Sequence, residues 1–177
     1  MKELLDQLHL DSVFVFGWSD GGIVGLQMAY SYPWKISKLA VSGANFSADS
    51  TALSADDFDS TKITWFKDLN PADQNSIFRS SHFPKQAGVI FDKLITLDLK
   101  YPDFTLEQLG KIQTPTLVAA GDHDIIKEMH TLRLFHALPH SELFIVPHSH
   151  HSTPIEHAEL LSIVLREFFD TPFEDLK

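Results

Sequence analysis

The spacing of hydrophobic residues changes repeatedly along this chain, and each change marks an element. Leu4, Leu5 and Leu8 recur at helical spacing, which predicts a short amphipathic helix over Lys2 to Leu8. Val13 to Phe16 is an unbroken apolar run of β-branched and aromatic residues, the pattern of a strand buried on both faces. A helical period returns with Ile23, Val24, Leu26 and Met28, so a helix is expected over Gly21 to Tyr30. Pro33 closes it, since proline has no N–H to continue the ladder. Ile36 to Val41 reads as a second strand ended by Ser42-Gly43, and "TPTLVAAG" as a third that ends in Gly121. Then come a helix over Lys127 to Ala137 closed by Pro139, a strand over Glu142 to Val146, and a final helix over Pro154 to Phe169.

Between Ala48 and Gly110 the character differs. Acidic, serine-rich and proline-punctuated stretches carry helical fragments such as "PKQAGVIFDKLITLDLKYP", and no strand alternation recurs. This segment reads as a helical insertion between two strands. Strands alternating with helices imply right-handed crossovers, hence an α/β fold with a mainly parallel sheet flanked by helices. Residues 1–47 and 111–177 then form the core, and 48–110 the insertion.

Composition narrows the functional classes. A chain of 177 residues, 44% of them hydrophobic, is long enough for one substantial core. Its formal net charge of −10 repels a nucleic-acid backbone. With no cysteine there is no disulfide framework and no thiolate chemistry. The opening "MKELLDQLHLDS" is too charged for the apolar core of a signal peptide, and no apolar run approaches the roughly 20 residues that span a bilayer. A cytoplasmic protein without a membrane partner is expected.

In an open parallel sheet, ligands bind beyond the carboxyl ends of the strands. Three predicted strands end in reactive residues: Ser19 after the first, Asp122 and Asp124 after the third, and His148 to His151 after the fourth. Ser19 sits in Gly-Trp-Ser-Asp-Gly, where small residues two before and two after relieve the crowding of a sharp strand-to-helix turn. It would stand at a helix N-terminus, with the Asp20 backbone N–H as a donor to a developing oxyanion. The plainer alternative is a serine that caps a helix.

Of the two acids, Asp122 directly follows the glycine and suits a turn cap. Asp124 lies further into the loop, where it can orient an imidazole. Of the four histidines in "VPHSHHSTPIEH", His151 just before the final helix is ranked first as a general base, because an imidazole titrates near neutrality. His148 and His150 are expected at the surface or behind the site, and His157 exposed on the helix. The same cluster, with His123 and Asp124, has metal-ligand spacing. A metal site would leave the serine turn unexplained, so neither a metal nor another cofactor is expected.

With serine, acid and histidine in that order, the chain resembles the C-terminal two-thirds of an α/β-hydrolase-fold protein. "GWSDGG" is most similar to the elbow of the biphenyl-hydrolase-like branch, which includes esterases that cleave amino-acid esters. "TPTLVAAGDHD" and "IVPHSHHSTPIEH" resemble the family's acid and histidine loops. The resemblance places the acid of Gly-x-x-Asp on Asp124 and the base of Pro-x-x-x-His on His151. It implies a serine hydrolase that cleaves a small carboxylic ester through an acyl-enzyme. It also makes segment 48–110 the cap over the pocket, where Trp65, Phe66 and Phe78 either line an acyl site or form the cap's own core. Trp18, Asp20 and Trp65 are the candidate substrate contacts, Asp20 as a carboxylate for a substrate ammonium or simply as a helix-start acid.

Members of this fold place several strands before the elbow, and Met1 to Leu10 supplies none. The resemblance therefore implies that a second oxyanion donor is missing and that the first strand leaves a parallel edge open to self-association. The competing expectation is a truncated, weakly active or inactive fragment of the fold that needs a partner or its missing N-terminal half.

Overall fold

The computed structural model describes residues 1–53 and 64–175. Four strands, β1 (Val13–Trp18), β2 (Ile36–Ser42), β3 (Thr116–Gly121) and β4 (Ser141–Val146), form one sheet in the order β1-β2-β3-β4. All three pairings are parallel. β1, β2 and β4 extend the predicted runs by one or two residues, and β3 starts two residues inside its run and ends at the expected Gly121.

Side chains alternate cleanly between two cores. Val13, Val15, Leu39, Val41, Val118 and Leu143 face one side. There they meet α1 (Lys2–Gln7) through Leu5 and α2 (Asp20–Ser31) through Leu26, Met28 and Ala29. Leu109 of α5 (Leu106–Leu109) and Leu134 of α6 (Glu128–Ala137) complete that core. Strands that advance in one direction through right-handed crossovers put their connecting helices on a single face, as observed.

The opposite face is covered by α8 (Ala158–Asp170), whose Val164, Leu165 and Phe168 pack on Ala40, Leu117 and Phe144. Lys38 reaches across from β2 and donates to the carbonyls of Phe168 and Thr171, capping the α8 C-terminus with a cation.

The terminal helix is broken where the sequence predicted continuity. Thr153–Glu156 forms a separate turn, α7, and His157 departs from helical geometry before α8 begins. The break has a local cause, since the histidine loop claims both residues at the joint. Glu156 accepts the His150 N–H, and the His157 ring reaches the His148 carbonyl at 3.4 Å. His157 is therefore half-buried at a joint rather than exposed on a helix.

A second correction concerns β1. Its apolar run is not buried on both faces: Phe14, Phe16 and Trp18 are 53%, 40% and 36% exposed. β1 is the edge of the sheet, and α8 reaches only as far as Phe14, which stacks on Phe169.

The segment between β2 and β3 carries helices α3 (Pro71–Ser80) and α4 (Ala87–Lys100) and the short α5; its residues 54–63 lie outside the described ones. Asn70 caps α3 by accepting the N–H groups of Ala72 and Asp73. Phe66 meets Phe78 and Phe91 edge-on, so these rings form the segment's own small core. Two isolated bridges pin the segment, Ser47 to Asp103 across its own ends and Leu53 to Ile126 of the loop after β3.

His130 of α6 anchors the start of that segment. It is fully buried, its Nε2 accepts the Phe46 N–H at 3.0 Å, and its ring stacks on Phe46. An accepting Nε2 fixes the tautomer, so Nδ1–H faces Thr51 Oγ1 at 3.2 Å. Burial pushes its pKa from 6.5 to about 4; Asp49 opposes the shift and Arg133 adds to it. Because the folded value is depressed, the unfolded chain binds the extra proton first as pH falls. His130 therefore contributes stability above pH 6.5 that is lost between about 6.5 and 4. The expected loss is about 3 kcal/mol. Urea unfolding across that window should show this decline, and His130→Gln, which keeps a hydrogen-bonding amide but does not titrate, should flatten it.

Candidate active site

The site begins with the turn between β1 and α2. Ser19 has φ 54° and ψ −122°, a left-handed backbone that a side-chain-bearing residue adopts only at a cost of about 1–3 kcal/mol. What holds it there is the close approach of strand end to helix start. A Cβ on Gly17 would fall 2.2 Å from the Gly21 carbonyl oxygen, so only glycine fits. Gly21 does not have the same duty, because a Cβ there meets nothing within 4 Å. The spatial demand for small residues thus falls on one side of Ser19, and Gly21 matters through its backbone.

Ser19 makes no side-chain cap to α2. Its Oγ lies 2.9 Å from His151 Nε2, and His151 Nδ1 lies 2.7 Å from Asp124 Oδ1. The carboxylate can only accept at Nδ1, which leaves Nε2 free to accept from the serine hydroxyl. Ser19 thus stands at the N-cap position of α2 without its hydroxyl capping the helix; that hydroxyl is turned to His151. The Asp20 N–H is the first in α2, and no backbone acceptor takes it among the described residues.

Asp124 is buried and also accepts the Ile126 N–H on the same Oδ1, at 3.0 Å. Its Oδ2 finds no hydrogen-bond partner among the described residues. Gly43, with φ +59°, passes over both groups: a Cβ there would fall 2.9 Å from Asp124 Oδ2 and 3.0 Å from the His151 ring. The backbone at Gly43 is the wall of the Asp124–His151 pair, and any side chain would displace it.

The other residues of the two loops hold this geometry. Asp122 Oδ1 accepts the Ser149 N–H at 3.1 Å and faces His123 Nδ1 at 2.8 Å. Those contacts hold its carboxyl well below the usual range and raise His123. Thr153 Oγ1 donates to the His150 carbonyl. From sequence, Asp122 has only a local turn-capping role and Ser149, Thr153 and Glu156 have none; Asp122 and Ser149 meet across two loops, and Thr153 and Glu156 fold back on His150. His148 and His150 are exposed, as expected. Among the described residues, no group of three or more histidines and acids could hold a metal ion, and no helix is long and apolar enough to cross a membrane.

The candidate substrate contacts separate. Trp18 spends its indole N–H on the His151 carbonyl at 2.8 Å, so it supports the loop rather than offering a donor to a ligand. Asp20 lines a cavity of about 430 Å³ between α2 and the α4–α5 region, with Ile23, Gln27, Leu97, Asp98 and Phe104. Burial, and then the charge of Asp20, raises the Asp98 carboxyl above its ordinary value. Trp65 does not line this cavity, and neither do Ser19 and His151, so Asp20 is the link between the cavity and the reactive centre.

No protein-family model matches the chain. In sequence it is 23% identical over 174 residues to a serine hydrolase of Mus musculus, BPHL, and 22% identical over 170 residues to its Homo sapiens counterpart. Each alignment takes in 94% of this chain and 57% of that protein, so the chain spans little more than half the length of these relatives. In structure it resembles a serine hydrolase of Cycloclasticus zankles, with TM-score 0.69 and 17% identity over 98% of this chain and 69% of that one. It also resembles a 2-hydroxy-6-oxo-6-phenylhexa-2,4-dienoate hydrolase of Rhodococcus, with TM-score 0.67 and 19% identity over 95% and 67%.

The glycine geometry predicts an asymmetry. Gly17→Ala should leave little folded protein, whereas Gly21→Ala should keep or raise stability by up to about 1 kcal/mol, since alanine is the better helix former. Thermal unfolding of the two variants tests this.

Proposed function

We propose that this chain, whose fold is that of the α/β-hydrolases, is a serine hydrolase that cleaves small carboxylic esters in the cytoplasm. The observation that carries the reading is the continuous contact from Ser19 Oγ through the His151 ring to Asp124, at 2.9 and 2.7 Å. Those are the distances that a nucleophile, its base and the orienting acid require.

In the proposed reaction, His151 Nε2 takes the Ser19 proton as Oγ attacks the ester carbonyl. The ring becomes an imidazolium held by Asp124, and the carbonyl oxygen becomes an oxyanion facing the Asp20 N–H at the start of α2. The tetrahedral adduct collapses, His151 returns the proton to the departing alkoxide, and an acyl-serine remains. Water, deprotonated by the same nitrogen, then releases the acid and restores Ser19. No cofactor enters the scheme.

Asp20 and Asp98, facing one cavity, support a substrate that carries a positive charge near the ester. A neutral ester would reach Ser19 without that help.

A second reading is favoured by the open side of β1. There the ladder ends on an apolar strand without charge or proline, and the sole backbone donor assigned to the oxyanion is the Asp20 N–H. Absence of one such donor typically lowers rates about 10²–10³-fold. In that reading the chain alone is weakly active or inactive, and a second copy adding to the β1 edge restores the sheet. Activity per molecule would then rise with protein concentration as the particle doubles in size-exclusion chromatography.

Fluorophosphonate labelling of the purified chain, with Ser19→Ala as control, tests the proposal. Labelling that is lost in the variant, together with p-nitrophenyl ester turnover, is the expected result; a folded sample that takes no label contradicts it. Asp20→Asn should lower kcat/KM for amino-acid esters about tenfold and leave neutral esters near the parent value.

A further inference from the structure

The histidine loop leaves β4, at one edge of the sheet, and its reactive ring must meet Ser19 above β1, at the other edge. Three strand spacings lie between them, about 14 Å. Near its origin the loop is well fastened: Asp122 holds Ser149, and Glu156 and Thr153 hold His150. Past His150 these side-chain anchors stop, and the chain runs into α7, where the Ser152 carbonyl accepts the Ile155 and Glu156 N–H groups. At His151 the main chain is held from the far side, where the Trp18 indole N–H donates to its carbonyl at 2.8 Å, with the indole and imidazole rings 5.9 Å apart.

Trp18 and Ser19 are consecutive residues. We propose that Trp18 is a positioning residue that clamps the main chain of His151 to the strand carrying the nucleophile, so that the Ser19–His151 contact is set from β1 and not across the whole sheet. If β1 shifts against β4, nucleophile and clamp move together and the base follows them. By strand alternation Trp18 belongs to the exposed stripe of Phe14 and Phe16. Unlike those two, it has a polar atom, and that atom is used. A bond of this length between an indole and a carbonyl is of ordinary strength, so the clamp orients rather than stabilises the fold.

The inference rests on the proposed function for its kinetic test and stands apart from it in its structural one. Trp18→Phe keeps the ring and removes the donor; Phe16→Ala, on the same stripe, is the control. In Trp18→Phe, kcat for a p-nitrophenyl ester should fall about tenfold with KM and melting temperature unchanged, a split that a merely structural loss would not produce. Independently of turnover, amides of residues 149–152 should exchange with solvent about tenfold faster by hydrogen-exchange mass spectrometry, with β4 and α8 unaffected. Phe16→Ala should change neither. Unchanged loop exchange in Trp18→Phe overturns the clamp. Faster exchange with unaltered kcat in an active chain overturns the positioning role. If the parent chain turns over no ester, the proposed function fails, and exchange alone decides the clamp.

Discussion

The parallel hydrogen-bond ladder is the constraint from which the candidate site follows. Trp18 is level with Ser42, Ser42 with Ala119, and Ala119 with Phe144, so the strands end nearly together. The ladder then runs one rung further into each loop: Ser19 N–H to the Ser42 carbonyl, Gly43 N–H to that of Ala119, and Asp122 N–H to that of Val146. Each reactive segment thus starts from a backbone already fixed by its neighbour. A slip of one residue in any pairing would turn the side chains to the wrong face and take the serine, the acid or the histidine out of reach.

On that base the three loops hold one another. Gly43 passes over Asp124 and His151, Asp122 holds Ser149, and Trp18 holds the carbonyl of His151. The acid loop is tied in turn to the segment that leaves β2, through Lys127 N–H to Ala52 and the Leu53–Ile126 bridge. His130 fixes the same segment from below by its contacts with Phe46 and Thr51. Geometry at the serine is therefore set largely by groups outside the Ser19–His151–Asp124 line. The cavity beside the site borrows a single residue of the elbow, Asp20, and is otherwise made of α2, α4, α5 and the loop between the last two.

Much of this was legible in the sequence. The four strands were, because short apolar runs bounded by glycine and proline leave little else for them to be. Ser19, Asp124 and His151 were legible because each follows a strand end at a spacing its chemistry needs. Other features were hidden for physical reasons. "VFVF" looks the same whether a strand is central or at an edge, so the exposure of Phe14 and Phe16 depends on what lies beside β1, which periodicity does not encode. The break at His157 comes from contacts with residues 148 and 150 that compete with the helix ladder. The bond from Trp18 to the His151 carbonyl was hidden because the two lie 133 residues apart, and the place of Trp65 because an aromatic in an insertion fits a pocket as well as a core.

The sheet brings Ser19, His151 and Asp124 into one hydrogen-bonded line. The most direct measurement is proton NMR of the chain with ¹⁵N-labelled histidine, searching for the low-field imidazole Nδ1–H that a buried carboxylate partner produces. Such a resonance is expected, absent in His151→Ala and in Asp124→Ala and retained in Ser19→Ala. A folded parent chain without it, or one in which it survives loss of Asp124, would contradict the arrangement.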